Sequence, residues 1–570
     1  MRKAATAQKV PFLAPDVVTK VIPSPTDGWD AISPLAEMDP KRAAILINWV
    51  PRPGYVELRG GYLSFSSLDP VTAAVETLMV YRSPTGEKLF AASDAHIFDV
   101  STGIAASVVS GLGNARWQYV NFANAAGNYL LQCVNGVNQL QQFDGTTWTV
   151  PVITGLPGGT TANIVGIASA KQRLWYIMNN SSVAAFMPAG ANQGPIASTQ
   201  DFALLWNKGG HLMAIANWTI DGGSGPQDYV AFVSSRGQIS LYAGTDPTNA
   251  NAWQLVGTFD IAPPIGRRCV TRVGSDVAVI TQQGVIPISQ ALPFDPSADR
   301  SVAITARIQN AMSQASQLYK GNFGWEFTTF PDQTLAFLNV PQVENEIQVQ
   351  YVMNTLTGAW CQFNGWNSNC FAVFNDKLYW GDNVGNVNQG WTSSGDLFNS
   401  ISADMQCAFN WLDEPGKTKR VTMIQPLLLF GGTGLVPTLA IDTDFTTSTA
   451  AVPITSLFGG AMWDFGVWDT STWSITSTNY TSFLSVDGLG HALAVRLRVT
   501  VASNNIPSPS MPHGPEGPGG PIYFGNPVTS LTTFGFRPVG TAIIQPVFNN
   551  ALPVLQVNAF NMIAEMGGAI

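Results

Sequence analysis

The side chains of this sequence that could do chemistry are few and widely separated. Histidine occurs four times, at His96, His211, His491 and His513, with no two near enough along the chain to form a local ligand set. Metal sites declare themselves by ligands at short fixed spacing, and neither HExxH, CxxC nor DxDxDG is present. A hydrolase nucleophile on a strand-to-helix elbow would need GxSxG before a helix, and that too is absent. GGTG at 431–434 lacks the Lys-Ser/Thr of a phosphate loop and reads as a turn. The loop DGGSGPQD at 221–228 offers carboxylates and carbonyls of the kind Ca²⁺ takes. It has no bidentate Glu at a fixed later position, so a turn explains it. Glycoside hydrolysis needs two carboxylates flanking one bond. Asp332, Glu344, Glu346, Asp413 and Glu414 are available on loops, but nothing in the sequence selects a pair. His96 and His211 stand in apolar, strand-like surroundings and read as core histidines. Asn217-Trp-Thr219 and Asn479-Tyr-Thr481 match glycosylation acceptors, which matter only on a secretory route. No catalytic, cofactor-binding or metal-ligating residue is assigned; the chain reads as non-enzymatic, with no cofactor.

Composition narrows the class further. Only 11% of the 570 residues are charged, against roughly 25% in ordinary soluble domains, while 45% are apolar. Gly (54) and Pro (37) are abundant, which suits many short strands joined by tight turns. A surface so poor in charge is better suited to meeting protein than water. The net charge is −9, and the basic clusters, Arg267–Arg268 and Lys417–Thr418–Lys419–Arg420, are short and isolated. Tight nucleic-acid binding needs stripes of Lys and Arg and is not expected. An acidic balance is compatible with a passage through which DNA slides without sticking. The N-terminus is basic but has no apolar core after it, so no secretory signal is expected. No apolar run reaches about 18 residues, so neither is a transmembrane helix. The five cysteines, Cys133, Cys269, Cys361, Cys370 and Cys407, are odd in number and scattered. They read as buried free thiols of a protein folded in a reducing cytoplasm.

The elements that would position any site are mostly strands, and the fold expected is all-β. Residues 1–40 are dense in proline (Pro11, Pro15, Pro23, Pro25, Pro34, Pro40) and read as an extended arm. Over 41–395 one motif recurs: an apolar or alternating run, a short polar or Gly-containing turn, and a second run. KLFAASDAHIFDV from Lys88, RLWYIMNNSSVAAF from Arg173 and YVAFVSSRGQISLY from Tyr229 are examples, each readable as a hairpin. The turns recur roughly every 40 to 60 residues, the spacing of four-stranded propeller blades, with a wider gap after Gly284. Trp148, Trp253 and Trp360 each follow a turn and open an apolar strand. They stand roughly 105 residues apart, close to two blades, as if packing between neighbouring sheets. The body is therefore read as a β-propeller of six or seven blades. In the wide gap Ile304, Ile308, Ala311, Met312, Ala315 and Tyr319 share a helical face, and Gly321 stops the helix. From 396 to 570 the runs lengthen and suit a β-sandwich-like domain, interrupted by a Pro/Gly loop at 506–527.

Five stretches resemble the tail nozzle, or tail hub, proteins of short-tailed bacteriophages. They are NWVPRPGYVELRGGY from Asn48, RWQYVNFANAAGNYLLQCVNGVNQLQQFDGTTW from Arg116 and NWTIDGGSGPQDYVAFVSSRGQISLYAGTDP from Asn217. IGRRCVTRVGSDVAVITQQGVIPIS from Ile265 and YVMNTLTGAWCQFNGW from Tyr351 complete them. These are structural signatures and carry no catalytic motif. The resemblance implies a structural subunit of the virion tail, assembled in the host cytoplasm. Six copies would form a ring below the portal and adaptor, extending the channel for genomic double-stranded DNA. That ring would touch tail fibres or a distal plug and would not insert into a membrane. Two other readings remain open: another virion structural protein, and a receptor- or glycan-binding tail component using some of the 17 tryptophans.

Overall fold

The structure, a computed structural model, describes residues 16–221, 226–291, 302–397, 399–431, 435–448, 451–454, 478–501 and 554–569. The Pro/Gly loop at 506–527, and with it residues 1–15 of the expected arm, lies outside them.

Six small antiparallel sheets form the blades of a β-propeller. Blades one to four are four-stranded meanders that start at Val75–Ser83, Gln118–Ala123, Ile164–Ala170 and Leu212–Asp221. Among the described residues blade five has three strands, Val270–Val273, Asp276–Thr281 and Gly284–Pro287. The expected helix, Gln309–Tyr319, follows farther along the chain. Ile308, Met312 and Ala315 bury its apolar face, and it leans on the outer strand of blade five and on Leu335–Val343. Blade six is closed by chain ends that are far apart in sequence. Cys370–Phe374, Lys377–Gly381 and Asn386–Ser393 take Gly61–Ser67 as their fourth strand. Between blades five and six the circuit is completed by the meander Glu326–Phe330, Leu335–Val343, Ile347–Asn354 and Trp360–Phe363.

That meander does not stop at the propeller. Trp360–Phe363 pairs in parallel with Ala43–Ile47, which pairs with Ile401–Cys407, and the sheet runs on through Leu493–Val501 and Leu435–Thr443 to nine strands. A second sheet of seven strands is built on two long ones, Lys417–Gly431 and Val554–Ala569. The sheets share one core containing Leu46, Val50, Val56, Leu428, Leu439, Leu497, Val557 and Phe560. Face-to-face sheets around a common apolar layer make a sandwich.

Residues 16–58 belong to this sandwich, which corrects the division into an arm at 1–40 and a propeller from 41. Asp16–Pro23 is a strand paired with Val554–Ala569; Val18 and Ile22 face the core, and Val17 and Val21 face out. The hairpin Trp49–Arg52/Tyr55–Leu58 pairs with the same C-terminal strand, Val56 opposite Val557. The prolines misled because Pro23 ends its strand, where a missing N–H costs little. Contacts spanning some 500 residues leave no local periodicity to read. Among the described residues no helix is long and apolar enough to cross a membrane.

Candidate functional site

In every blade the first strand lies innermost. Val75–Ser83 contacts Gln118–Ala123, which contacts Ile164–Ala170, and the chain of contacts continues through Leu212–Asp221, Val270–Val273, Glu326–Phe330 and Cys370–Phe374 back to Val75–Ser83. They enclose an axial cavity of about 240 Å³ lined by Thr77, Gln118, Val165, Ile215, Thr271, Glu326 and Cys370, among others. In an antiparallel meander the start of the first strand and the turn between the second and third fall on one face. That rule gathers Glu76, Arg116, His211, Arg267 and Arg268, which open first strands, with Asn179, Arg236 and Glu344, which sit in second turns.

Most of this charge is consumed internally. Arg116 donates to Glu76 at 3.0 Å through Nε and to Glu344 at 2.5 Å through Nη2, tying blades one and two to the meander. Glu344 also accepts the Phe323 N–H at 2.9 Å. Burial would raise the Glu344 pKa, but the Phe323 N–H and Arg116 hold it below the usual carboxylate range. Phe323 lies under two guanidiniums, 4.4 Å from that of Arg116 and 5.0 Å from that of Arg268. Arg268 reaches into the cavity and donates to Thr77 Oγ1 at 2.7 Å and to the Glu76 carbonyl at 3.0 Å. Its other nitrogen stands 3.5 Å from Glu326, whose carboxyl is pushed up by burial despite that neighbour. Arg267 differs. It is solvent-accessible yet enclosed enough that burial lowers its pKa, and among the described residues it donates only to the neutral Asn179 Oδ1, at 3.4 Å.

The carboxylates named from the sequence are not brought together. Glu344 and Glu346 lie on the arginine-bearing face, and Asp332 on the opposite one, in the first turn of its meander. Asp413 and Glu414 are in the sandwich, paired with Lys20 at 2.5 Å and Lys417 at 3.4 Å. In the loop at 221–228, residues 222–225 lie outside the described residues; Asp228 takes the Thr219 hydroxyl at 2.6 Å. GGTG begins at the end of the strand Lys417–Gly431, and its last three residues are likewise outside. No group of three or more His, Cys, Asp and Glu side chains arranged for a metal occurs among the described residues. The five cysteines are buried and unpaired, and burial pushes every thiol up, away from the reactive thiolate. His211 is no core residue. It precedes its strand, in a Lys-Gly-Gly-His loop, beside Arg236 and Arg267. Arg267–Arg268 was visible as a dibasic pair; that one is spent and the other free follows only from the ring closing around them.

No protein-family model matches the chain, and no curated protein matches it. Among solved structures, a similar one is the crystal structure of BBS1N in complex with ARL6DN, soaked with lead. The identity is 12%, covering 41% of this chain and 73% of that one, with a TM-score of 0.26. A likeness at that level bears on no functional question.

Proposed function

We propose that the chain is a structural subunit of the short tail of a bacteriophage, a ring-forming nozzle component that prolongs the DNA channel below portal and adaptor. The observation that carries this reading is the rigid union of its two parts. One sheet runs from propeller into sandwich, and beside it Arg59 is buried in a fork on Asp396, at 2.6 and 2.8 Å. Arg59 also bonds Asn48 Oδ1 and the Asn364 carbonyl at 2.8 Å each and lies over Trp366. A subunit that retains a pressurised genome and then releases it must hold its shape under load, and a bracket of this kind does so.

The passage for DNA lies between copies in this reading. The axial cavity of about 240 Å³ has room for roughly eight waters at ~30 Å³ each. A duplex whose major groove alone is about 12 Å wide does not enter it. Ring contacts between identical subunits are heterologous and close by rotation, as six copies around one axis require. The glycan-binding alternative has less support, because no tryptophan among the described residues is exposed enough to offer a stacking platform.

Electron microscopy of virions with and without this protein tests the proposal. Loss of a ring at the tail tip, with head and portal intact, is the expected result. An unchanged tail rejects it.

A further inference from the structure

The loop that leads into blade four, Lys208-Gly-Gly-His211, lies against the turn Ser234-Ser-Arg236. His211 N–H donates to Ser235 Oγ at 3.0 Å, and Ser235 N–H to the His211 carbonyl at 2.8 Å. Gly209 and Gly210 take φ of +66° and +96°, and a Cβ on Gly210 would stand 2.7 Å from Arg236 Cγ. Glycine is what lets the Arg236 side chain lie over the loop. Burial, then Arg267, then Arg236 lower the His211 pKa, so both guanidiniums stand within electrostatic reach of its ring. Lys208 is engaged with Asp260 at 3.1 Å. Neither Arg236 nor Arg267 has a carboxylate within ion-pair distance among the described residues, whereas Arg268, one residue on, has Glu326.

Arg267 and Arg236 both keep contact with solvent, and with no countercharge beside them they leave uncompensated positive charge that attracts anions. Arg116 and Arg268, the arginines that open first strands beside Arg267 on this face, are matched. We propose that the mouth of the axial cavity between blades four and five is a binding site for a small oxyanion, phosphate or carboxylate. Arg267 receives it as a two-pronged donor, with Arg236 and His211 at its flank. The guanidinium fork matches two oxygens of such a group, and the cavity behind it, about 240 Å³ with Gln118 and Thr271 in its wall, has space and polar side chains for it. This site does not depend on the tail reading and is testable on the isolated chain.

The experiment is thermal unfolding of the full chain in inorganic phosphate, in acetate, and in chloride at matched ionic strength. Wild type, Arg267→Gln and Arg82→Gln are compared; Arg82 is at the far end of its strand, on the opposite face, paired with Glu87 at 2.9 Å. The expected result is a saturable rise in Tm for wild type and Arg82→Gln, with binding weakened at least tenfold in Arg267→Gln. Saturation by phosphate identifies a phosphate source, and saturation by acetate alone a carboxylate; either supports the site. In chloride, Arg267→Gln should be at least as stable as wild type, because it removes an unmatched cation. A shift that persists undiminished in Arg267→Gln is a general salt effect and overturns the proposal. So does the absence of a saturable shift, or a marked loss of stability of Arg267→Gln in chloride.

Discussion

Arg59, buried, and Glu326, half-buried, each face an opposite charge, yet their surroundings give them opposite consequences. The Arg59 side chain is 0% exposed and that of Asp396 7%, with the guanidinium saturated by five acceptor contacts. Removing one partner strands the other, so Arg59→Ala is expected to cost about 3–5 kcal/mol in denaturant unfolding, and the double Arg59→Ala/Asp396→Ala variant less than the sum. Glu326 has only a distant partner, and burial dominates, raising its carboxyl above the ordinary value. A group with a raised folded pKa binds its proton more tightly in the native state. Its stabilisation is complete below the unfolded pKa, near 4.3, and declines as pH rises through the folded value. Glu326→Gln should therefore gain stability relative to wild type as pH rises through that window and show no further change below or above it. Thermal unfolding between pH 4 and 8 measures this, and a difference independent of pH contradicts it. Neither role was legible in the sequence, where Arg59 stands two residues from Glu57 and Glu326 lies among Phe323, Trp325 and Phe327, with nothing nearby to announce the partners that the fold brings up.

Individual strands and blades were far more legible than their partners. Trp148, Trp253 and Trp360 each open the last strand of a four-stranded meander, and they alternate around the ring as their spacing suggests. Trp148 packs edge-on against Phe90 of the preceding blade at 5.0 Å, and Trp253 stacks on Trp175 of its own preceding blade at 6.1 Å. Trp360 is wholly buried, its indole N–H on the Ile304 carbonyl. Trp360→Ala should cost about 3–5 kcal/mol, and Trp148→Ala, half-buried, distinctly less, both read from denaturation midpoints. The low charge also finds its explanation here. Amides carry much of the internal polarity: Gln350 donates at 2.9 Å to Asn339 Oδ1 of the neighbouring strand and to the Trp366 carbonyl and at 3.0 Å to Ser368 Oγ, while Gln132 joins Gln142 and Tyr176 across blades two and three. Composition announced that polarity without saying where it would be spent. Local alternation identifies a strand, whereas its partner is fixed by topology. The strand Asp16–Pro23 and the closing strand Gly61–Ser67 therefore emerged only with the structure.

At the scale of the molecule, the chain leaves the sandwich at residue 58, makes the full circuit of the propeller, and returns to the sandwich by residue 401. Each part is closed by segments belonging to both ends. The propeller needs Gly61–Ser67 to complete blade six, and the sandwich needs residues 16–58 to cover strands near the C-terminus. The nine-stranded sheet has four strands in the ring and five in the sandwich, with the Ile47↔Gln362 pairing at the join. Two domains joined by a linker would unfold separately, because few contacts cross such a boundary. Here the boundary is a hydrogen-bonded sheet with a saturated ion pair beside it, so opening either part exposes the core of the other. The expected outcome in calorimetry is a single transition, with propeller and sandwich tryptophans reporting the same midpoint. Arg59→Ala should lower that midpoint and, if the join alone couples the parts, separate it into two. Two transitions in the wild-type chain would mean that the shared sheet is a seam that opens independently, and the rigid bracket on which the nozzle proposal rests would be lost with it.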